Sequence, residues 1–201
     1  MKNFYLFLGL LIAILVALLL SEPQKETSFT ELNIKKNFFN NSLTVESTIG
    51  RQFTHENFLN KTSLVFFGYT RCPDFCPDTL MKLGRIYKSL NNKKHLDKSK
   101  LQIIFISVDT ENDSLPTIKN YLQYFNEYFV GLKLNKTDLK MLTKSANVYY
   151  KKTSSDPDVT LYDHTSAVFI VDNEGKLMGV FTPPYLESDL ENDIISLLNQ
   201  I

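Results

Sequence analysis

The sequence predicts an α/β sandwich in which a central mixed sheet is flanked by helices. Two strongly apolar runs, residues 63–67 and 101–108, have the length and composition of strands buried on both faces. A helical pattern follows each run. Residues 166–172 and 176–181 predict a hairpin, because Gly175 supplies a turn between them. The order strand, helix, strand and then hairpin and helix predicts one domain of packed layers.

The remaining elements follow from the spacing of apolar residues. Helices are predicted over residues 76–90, 115–128, 137–148 and 186–198, where apolar side chains recur at helical spacing. Shorter features are a first strand or hairpin at 43–49, a charged loop at 91–100, a short strand at 130–134 and a polar loop or hairpin at 151–162. This order fits a thioredoxin-like sandwich.

The N-terminal region predicts a membrane anchor followed by a linker. Residues 4–20 carry no charge and are long enough to cross the hydrocarbon core, at the short end of the range. Lys2 precedes them, so the positive-inside rule places the domain outside the cytoplasm. A cleaved signal peptide is the alternative, although no clear small-residue cleavage site precedes Ser21. We predict an anchor at 1–20, a polar linker at 21–42 and the domain at 43–201.

Composition excludes several classes of protein. The chain has 201 residues and a formal net charge of zero, with no basic run that would suggest a nucleic-acid surface. It contains two cysteines, which excludes zinc fingers with several thiol ligands and multi-disulfide scaffolds.

The two cysteines lie in one short loop between a predicted strand and a predicted helix. Cys72 and Cys76 are four residues apart, so their sulfurs converge if the loop winds into the helix. Pro77 suits the first helical turn. The positive end of the helix and the neighbouring Arg71 favour a thiolate, which we expect at Cys76. At this point a metal site, a redox-active pair, a structural disulfide and two buried thiols all remain open.

Three segments resemble the Sco/SenC family of copper-handling assembly factors. Residues 67–77, Phe-Gly-Tyr-Thr-Arg-Cys-Pro-Asp-Phe-Cys-Pro, resemble the family signature. Residues 105–109 resemble the next strand with its terminal Asp109. The pair Asp163-His164, which leads into residues 168–172, resembles the family's Asp-His motif and the strand after it. The resemblance extends from about residue 43 to about residue 198.

The resemblance implies a copper site formed by Cys72, Cys76 and His164. Sulfur ligands suit Cu(I), and imidazole tolerates both Cu(I) and Cu(II). The implied function is that of a copper chaperone that serves the dinuclear copper site of cytochrome c oxidase, and a thiol–disulfide reductase activity stays open beside it. Its partners would be the copper-site subunit of the oxidase, other copper chaperones and thioredoxin-like reductants. The implied location is the inner (cytoplasmic) membrane, with the domain facing the periplasm.

Two other functions stay open. One is a thiol–disulfide oxidoreductase that reduces the cysteines of the oxidase copper site, and the other is a redox or copper sensor. His164 separates them from a chaperone, because disulfide exchange needs the thiols alone.

The other candidate residues have simpler interpretations. We expect His55 and His95 at the surface, and Asp109 and Asp113 in loop and helix-cap positions. Asp163 either orients the imidazole of His164 or is an exposed turn residue. The remaining expectations are core packing for Met81, Met141 and Met178, and for Tyr69 and Phe75 a role in shielding the cysteines or touching a partner.

Overall fold

The computed structural model describes residues 28–32, 36–90, 93, 97–154 and 161–200. The strands are β1 (Thr30–Glu31), β2 (Val45–Ser47), β3 (Gln52–Phe53), β4 (Thr62–Gly68), β5 (Leu101–Ser107), β6 (Val130–Lys133), β7 (Tyr150–Lys152), β8 (Tyr162–His164), β9 (Val168–Val171) and β10 (Leu177–Phe181). The helices are α1 (Phe75–Leu90), α2 (Leu115–Gln123), α3 (Lys136–Ala146) and α4 (Glu187–Leu198).

Eight of these strands form a mixed sheet, as the sequence predicts. The strand order is β1-β10-β9-β4-β5-β6-β2-β3. Strands β4, β5 and β6 are parallel, whereas β9 runs antiparallel to β4 and β10 antiparallel to β9. Every residue of β4 and β5 is buried, because both faces of these central strands are covered. The two remaining strands, β7 and β8, pair separately as a small hairpin.

The helices bury the stripes that their apolar spacing predicts. Helix α1 buries Leu80, Leu83 and Ile86 in the core. It also lies beside α4, and the ion pair between Arg85 and Glu187, with atoms 2.7 Å apart, joins the two helices at the surface. These contacts hold the N-terminal turn of α1 at the carboxyl end of β4.

Helix α2 is shorter than predicted. It ends at Gln123 instead of residue 128, because Phe125 and Asn126 both donate backbone hydrogen bonds to the carbonyl of Leu122 and begin a turn. Phe129 beyond this turn is still buried. The apolar spacing therefore continues past the end of the helix without helical backbone.

The domain begins earlier than residue 43. Strand β1 pairs with β10, and the ring of Phe29 packs edge-to-face on Phe181. Phe38 and Phe39 are fully enclosed in an aromatic cluster with Phe58. The described part of the predicted linker therefore belongs to the folded domain. Two buried aromatic residues in a polar stretch make no periodic pattern, which is why the sequence did not reveal them.

The N-terminal anchor stays a prediction. Residues 4–20 lie outside the described residues, as does His95. Across the part of the chain that the structure describes, none of the helices combines the length and the apolar character that a membrane span requires.

Candidate metal centre

The structure brings together the three side chains that the sequence singles out. Cys72 lies in the loop after β4, Cys76 in the first turn of α1, and His164 at the end of β8. Their ligand atoms all lie within 4.8 Å of one another. Neither cysteine is part of a disulfide. Two sulfurs and one imidazole nitrogen at this spacing can hold a soft or borderline metal ion.

The loop and the helix explain why the sulfurs converge. Helix α1 begins at Phe75, so the backbone N–H of Cys76 has no partner within the helix. It donates a hydrogen bond to Sγ of Cys72, with nitrogen and sulfur 3.4 Å apart. Sγ of Cys72 therefore lies at the positive end of the helix.

The imidazole of His164 is oriented by a hydrogen bond to the backbone. Its Nδ1 lies 3.1 Å from the carbonyl oxygen of Thr165, which can only accept a hydrogen bond. Nδ1 therefore donates a hydrogen bond to this carbonyl, and Nε2 is the nitrogen that faces the thiols. Nε2 lies 3.4 Å from Sγ of Cys76. The backbone contact thus leaves the metal-binding nitrogen directed at the thiols.

The two thiols differ strongly in acidity. A hydrogen bond from Cys76 is the largest cause that lowers the pKa of Cys72, to about 4; burial opposes it, and a hydrogen bond with His164 adds to it. The same Cys72–Cys76 hydrogen bond, with burial and the charge on Cys72, raises the pKa of Cys76 above its ordinary value. The expectation that Cys76 carries the thiolate is therefore wrong. The helix end acts on Cys72, and burial leaves the proton on Cys76.

Arg71 is paired with a buried carboxylate. Its guanidinium lies 3.0 Å from Oδ2 of Asp109, and the side chain of Asp109 is fully buried. Asp109 also accepts hydrogen bonds from the backbone and side chain of Asn112. The predicted loop role of Asp109 is too simple, because this carboxylate fastens the cysteine loop to the end of β5.

Asp113 fastens the same loop at a second point. Its carboxylate accepts hydrogen bonds from the N–H and the hydroxyl of Thr70, at 3.0 and 2.6 Å, and from the hydroxyl of Ser107 at 2.6 Å. Ser114, not Asp113, caps α2. Asp113 is 1% exposed. The sequence did not reveal this role, because a buried carboxylate and a cap residue look alike in a polar run.

Gly68 makes room for the buried thiol at the end of β4. A Cβ at this position would lie 2.9 Å from Sγ of Cys76 and 2.9 Å from the ring of Phe105. Both neighbours are fully buried, so neither could move aside easily. The absence of a side chain at Gly68 is therefore part of the geometry of the site.

The two aromatic residues that flank the cysteines differ in burial. Tyr69 is buried at 2% exposure and shields the site, whereas Phe75 is 61% exposed beside it. The carbonyl of Thr165, and not Asp163, orients the imidazole of His164. Asp163 is exposed, which agrees with the second interpretation of this residue.

Burial tests the predictions for four other residues. His55 is half-buried against Gly175, outside the candidate metal centre. Met81 and Met141 are exposed, so the expectation of core packing is wrong for both, whereas Met178 does pack against the core.

Fold and site together define a class: a thioredoxin-like α/β domain with a candidate metal centre of two thiols and one imidazole. Comparisons with known proteins narrow this class. The sequence model of the SCO1/SenC family matches residues 33–199. The SCO2-like protein of Rickettsia felis is 35% identical over 141 residues, which cover 69% of this chain and 65% of that protein.

Solved structures agree with the sequence comparison. ScoI of Bradyrhizobium japonicum with copper bound is 29% identical, with a TM-score of 0.70, and the match covers 82% of this chain and 99% of that one. Yeast Sco1 with copper bound is also 29% identical, with a TM-score of 0.72 over 85% of this chain and 91% of that one. The chain belongs to the SCO1/SenC family.

The family match begins ten residues earlier than the predicted domain, at residue 33 instead of 43. This agrees with the burial of Phe38 and Phe39. The chain spans 65% of the length of the Rickettsia felis relative and 48% of the mitochondrial SCO1 protein of Saccharomyces cerevisiae, to which it is 34% identical over 148 residues, or 71% of this chain.

Proposed function

We propose that this protein binds one copper ion through Cys72, Cys76 and His164 and delivers it to the dinuclear copper site of a cytochrome c oxidase. The observation that carries the proposal is the convergence of the three ligand atoms within 4.8 Å. Family membership supports the choice of metal, since two relatives of the same fold were solved with copper bound.

The chemistry of the donor set also favours copper. Cys72 is already a thiolate at neutral pH, and Cys76 must release its proton when a metal ion binds. Nε2 of His164 faces the thiols and completes the set of three donors. Two thiolates select Cu(I), and the imidazole adds a ligand that Cu(II) prefers. Copper here is the cargo, and Cys72 is the more exposed of its two sulfur ligands.

The proposed location follows the sequence. Residues 4–20 would anchor the chain in the inner membrane, and the copper domain would face the periplasm, where the copper-site subunit of the oxidase is the proposed partner.

Metal binding to the reduced protein tests the ligand set. We expect one Cu(I) or one Cu(II) per chain. Cys72→Ser and Cys76→Ser should each abolish tight binding of both ions. His164→Ala should lose the Cu(II) charge-transfer absorption but keep Cu(I), which two thiolates can hold. His55→Ala is the matched control, because this histidine lies outside the site, and it should bind copper normally. Unchanged loading of either serine variant would rule out the site.

The difference in acidity and exposure between the two thiols favours a second function, thiol–disulfide exchange. A partly exposed thiolate at Cys72 next to a buried protonated thiol at Cys76 suits disulfide exchange. In that reaction Cys72 would attack a disulfide of the target, and Cys76 would resolve the mixed disulfide. The target would leave as two thiols and this protein as a disulfide.

Cells that depend on this protein separate the two functions. Delivery of copper predicts that His164→Ala loses oxidase activity at limiting copper, as Cys72→Ser does. Normal oxidase activity with His164→Ala, together with loss of activity in Cys72→Ser, would establish the reductase and refute copper delivery.

A further inference from the structure

The candidate site is assembled from two separate parts of the fold. Cys72 and Cys76 come from the junction between α1 and β4, and β4 is a strand of the eight-stranded sheet. His164 comes from β8, which pairs with β7 in a hairpin apart from that sheet. A site built this way keeps its geometry only if something fixes the hairpin against the cysteine loop.

Tyr69 makes such a connection. It lies between β4 and Cys72, and its side chain is almost fully buried. Its hydroxyl accepts a hydrogen bond from the backbone N–H of Tyr162, the first residue of β8, at 3.3 Å. Its ring packs edge-to-face on Tyr162 and on the imidazole of His164, with centroids 5.3 and 6.0 Å apart. One side chain thus contacts both ends of the three-residue strand.

We propose that Tyr69 is a positioning residue whose hydroxyl ties β8 to the cysteine loop and so fixes the imidazole of His164 relative to the two thiols. The tie exists without metal. Its effect on copper rests on the proposed function.

The acidity of Tyr69 agrees with this role. Burial is the largest cause that raises the pKa of Tyr69, the hydrogen bond from the N–H of Tyr162 opposes it, and the charges on the cysteines and a hydrogen bond with Cys72 add to it. The groups around the hydroxyl, the N–H of Tyr162 and the two cysteines, thus all act on the pKa of Tyr69.

A second connection runs through the side chain of Tyr162. Its hydroxyl lies 3.4 Å from Oδ1 of Asp109, the carboxylate that also pairs with Arg71. This contact is independent of the hydroxyl of Tyr69. Removal of the Tyr69 hydroxyl should therefore loosen β8 without releasing it.

The experiment uses the full-length protein and Tyr69→Phe, which keeps the ring contacts and removes only the hydroxyl. In metal-free protein, hydrogen exchange at the amide of Tyr162 should become about three- to tenfold faster, the effect of losing one hydrogen bond. Cu(II) affinity should fall by a similar factor relative to Cu(I) affinity, because Cu(II) depends on the imidazole, and the Cu(II) absorption should shift.

Tyr121→Phe is the matched control. Its hydroxyl is buried and has no hydrogen-bond partner among the described residues, and its ring packs on Phe105 and Phe125. Loss of this hydroxyl should change neither the exchange of Tyr162 nor the preference between Cu(II) and Cu(I).

The outcomes are distinguishable. Unchanged exchange of Tyr162 in Tyr69→Phe, or fast exchange of this amide already in the unchanged protein, overturns the tie. Faster exchange with an unchanged Cu(II)-to-Cu(I) preference overturns the positioning role. If the unchanged protein binds no copper, the proposed function fails, and the exchange measurement alone decides whether Tyr69 holds β8.

Discussion

Identical side chains acquire different chemistry at this site from their surroundings. Cys72 is partly exposed and accepts a hydrogen bond from the N–H of Cys76, whereas Cys76 is fully buried beside Gly68 and the imidazole of His164. When the two neighbouring sulfurs share one proton, the buried sulfur of Cys76 keeps it, because burial penalises a thiolate. The structure therefore assigns Cys72 as the thiolate and Cys76 as the thiol.

Alkylation of the reduced, metal-free protein tests this assignment. The pKa of Cys72 is lowered to about 4, so its thiolate persists above that pH and is lost only as the pH falls through this value. Iodoacetamide should therefore modify Cys72 at a nearly constant rate between pH 6 and 8, with Cys76 unreactive over the same range. Mass spectrometry of the peptides gives both rates.

The variant Cys76→Ala probes the cause of the low pKa. Alanine has no side-chain donor for the thiolate, so the pKa of Cys72 should rise toward the ordinary value of about 8.5. Its alkylation at pH 6 should then slow by roughly tenfold or more. Preferential alkylation of Cys76 in the unchanged protein would contradict the assignment.

Short elements before residue 43 complete the sheet and the core. Strand β1 has two residues and covers the outer edge of β10. The chain then follows the β9–β10 hairpin, where Phe38 donates a backbone hydrogen bond to Gly175 and Leu177 donates one to Lys36. The polar composition of this stretch predicts a linker, yet the stretch supplies large side chains to the interior.

A pair of fragments tests the contribution of this stretch. Residues 28–201 should fold, whereas residues 43–201 lack Phe29, Phe38 and Phe39. Burial of a Phe side chain stabilises by about 1.5–3 kcal/mol, so their combined loss approaches the ~5–15 kcal/mol stability of an ordinary domain. Thermal unfolding followed by circular dichroism should show a cooperative transition only for the longer fragment. Equal melting temperatures would show that the segment is dispensable.

At the scale of the whole molecule, buried polar groups connect the metal centre to the sheet. Asp109 and Asp113 lie in the loop between β5 and α2 and bind Arg71 and Thr70, the two residues before Cys72. Hydrogen bonds to buried carboxylates are strong and specific, so they hold the loop in one conformation. The site is therefore placed by the central strands, and the His164 hairpin docks onto it.

The proposed anchor gives a prediction for the entire chain. Full-length protein should stay in the membrane fraction after a carbonate wash, because residues 4–20 are apolar and long enough to span the bilayer core. The fragment of residues 28–201 is the control and should be released by the wash. A processed soluble form that begins near Ser21 would show a cleaved signal peptide instead.

Much of the fold could be predicted from the sequence, for a physical reason. Strands β4 and β5 lie in the middle of the sheet and are apolar throughout, and α1 and α4 bury one regular stripe each, so local patterns suffice. The three candidate ligands came instead from the resemblance of the cysteine loop and of the Asp163-His164 pair to the Sco/SenC family, since the cysteine spacing alone left several roles open.

Tertiary structure alone decided how those ligands behave. Which thiol keeps its proton depends on burial and on hydrogen bonds such as that between Cys76 and Cys72, and the orientation of the His164 imidazole depends on the carbonyl of Thr165. The tie from Tyr69 to Tyr162 joins residues 93 positions apart. Burial and long-range hydrogen bonds arise only when distant segments pack together, and no local pattern in the chain records them.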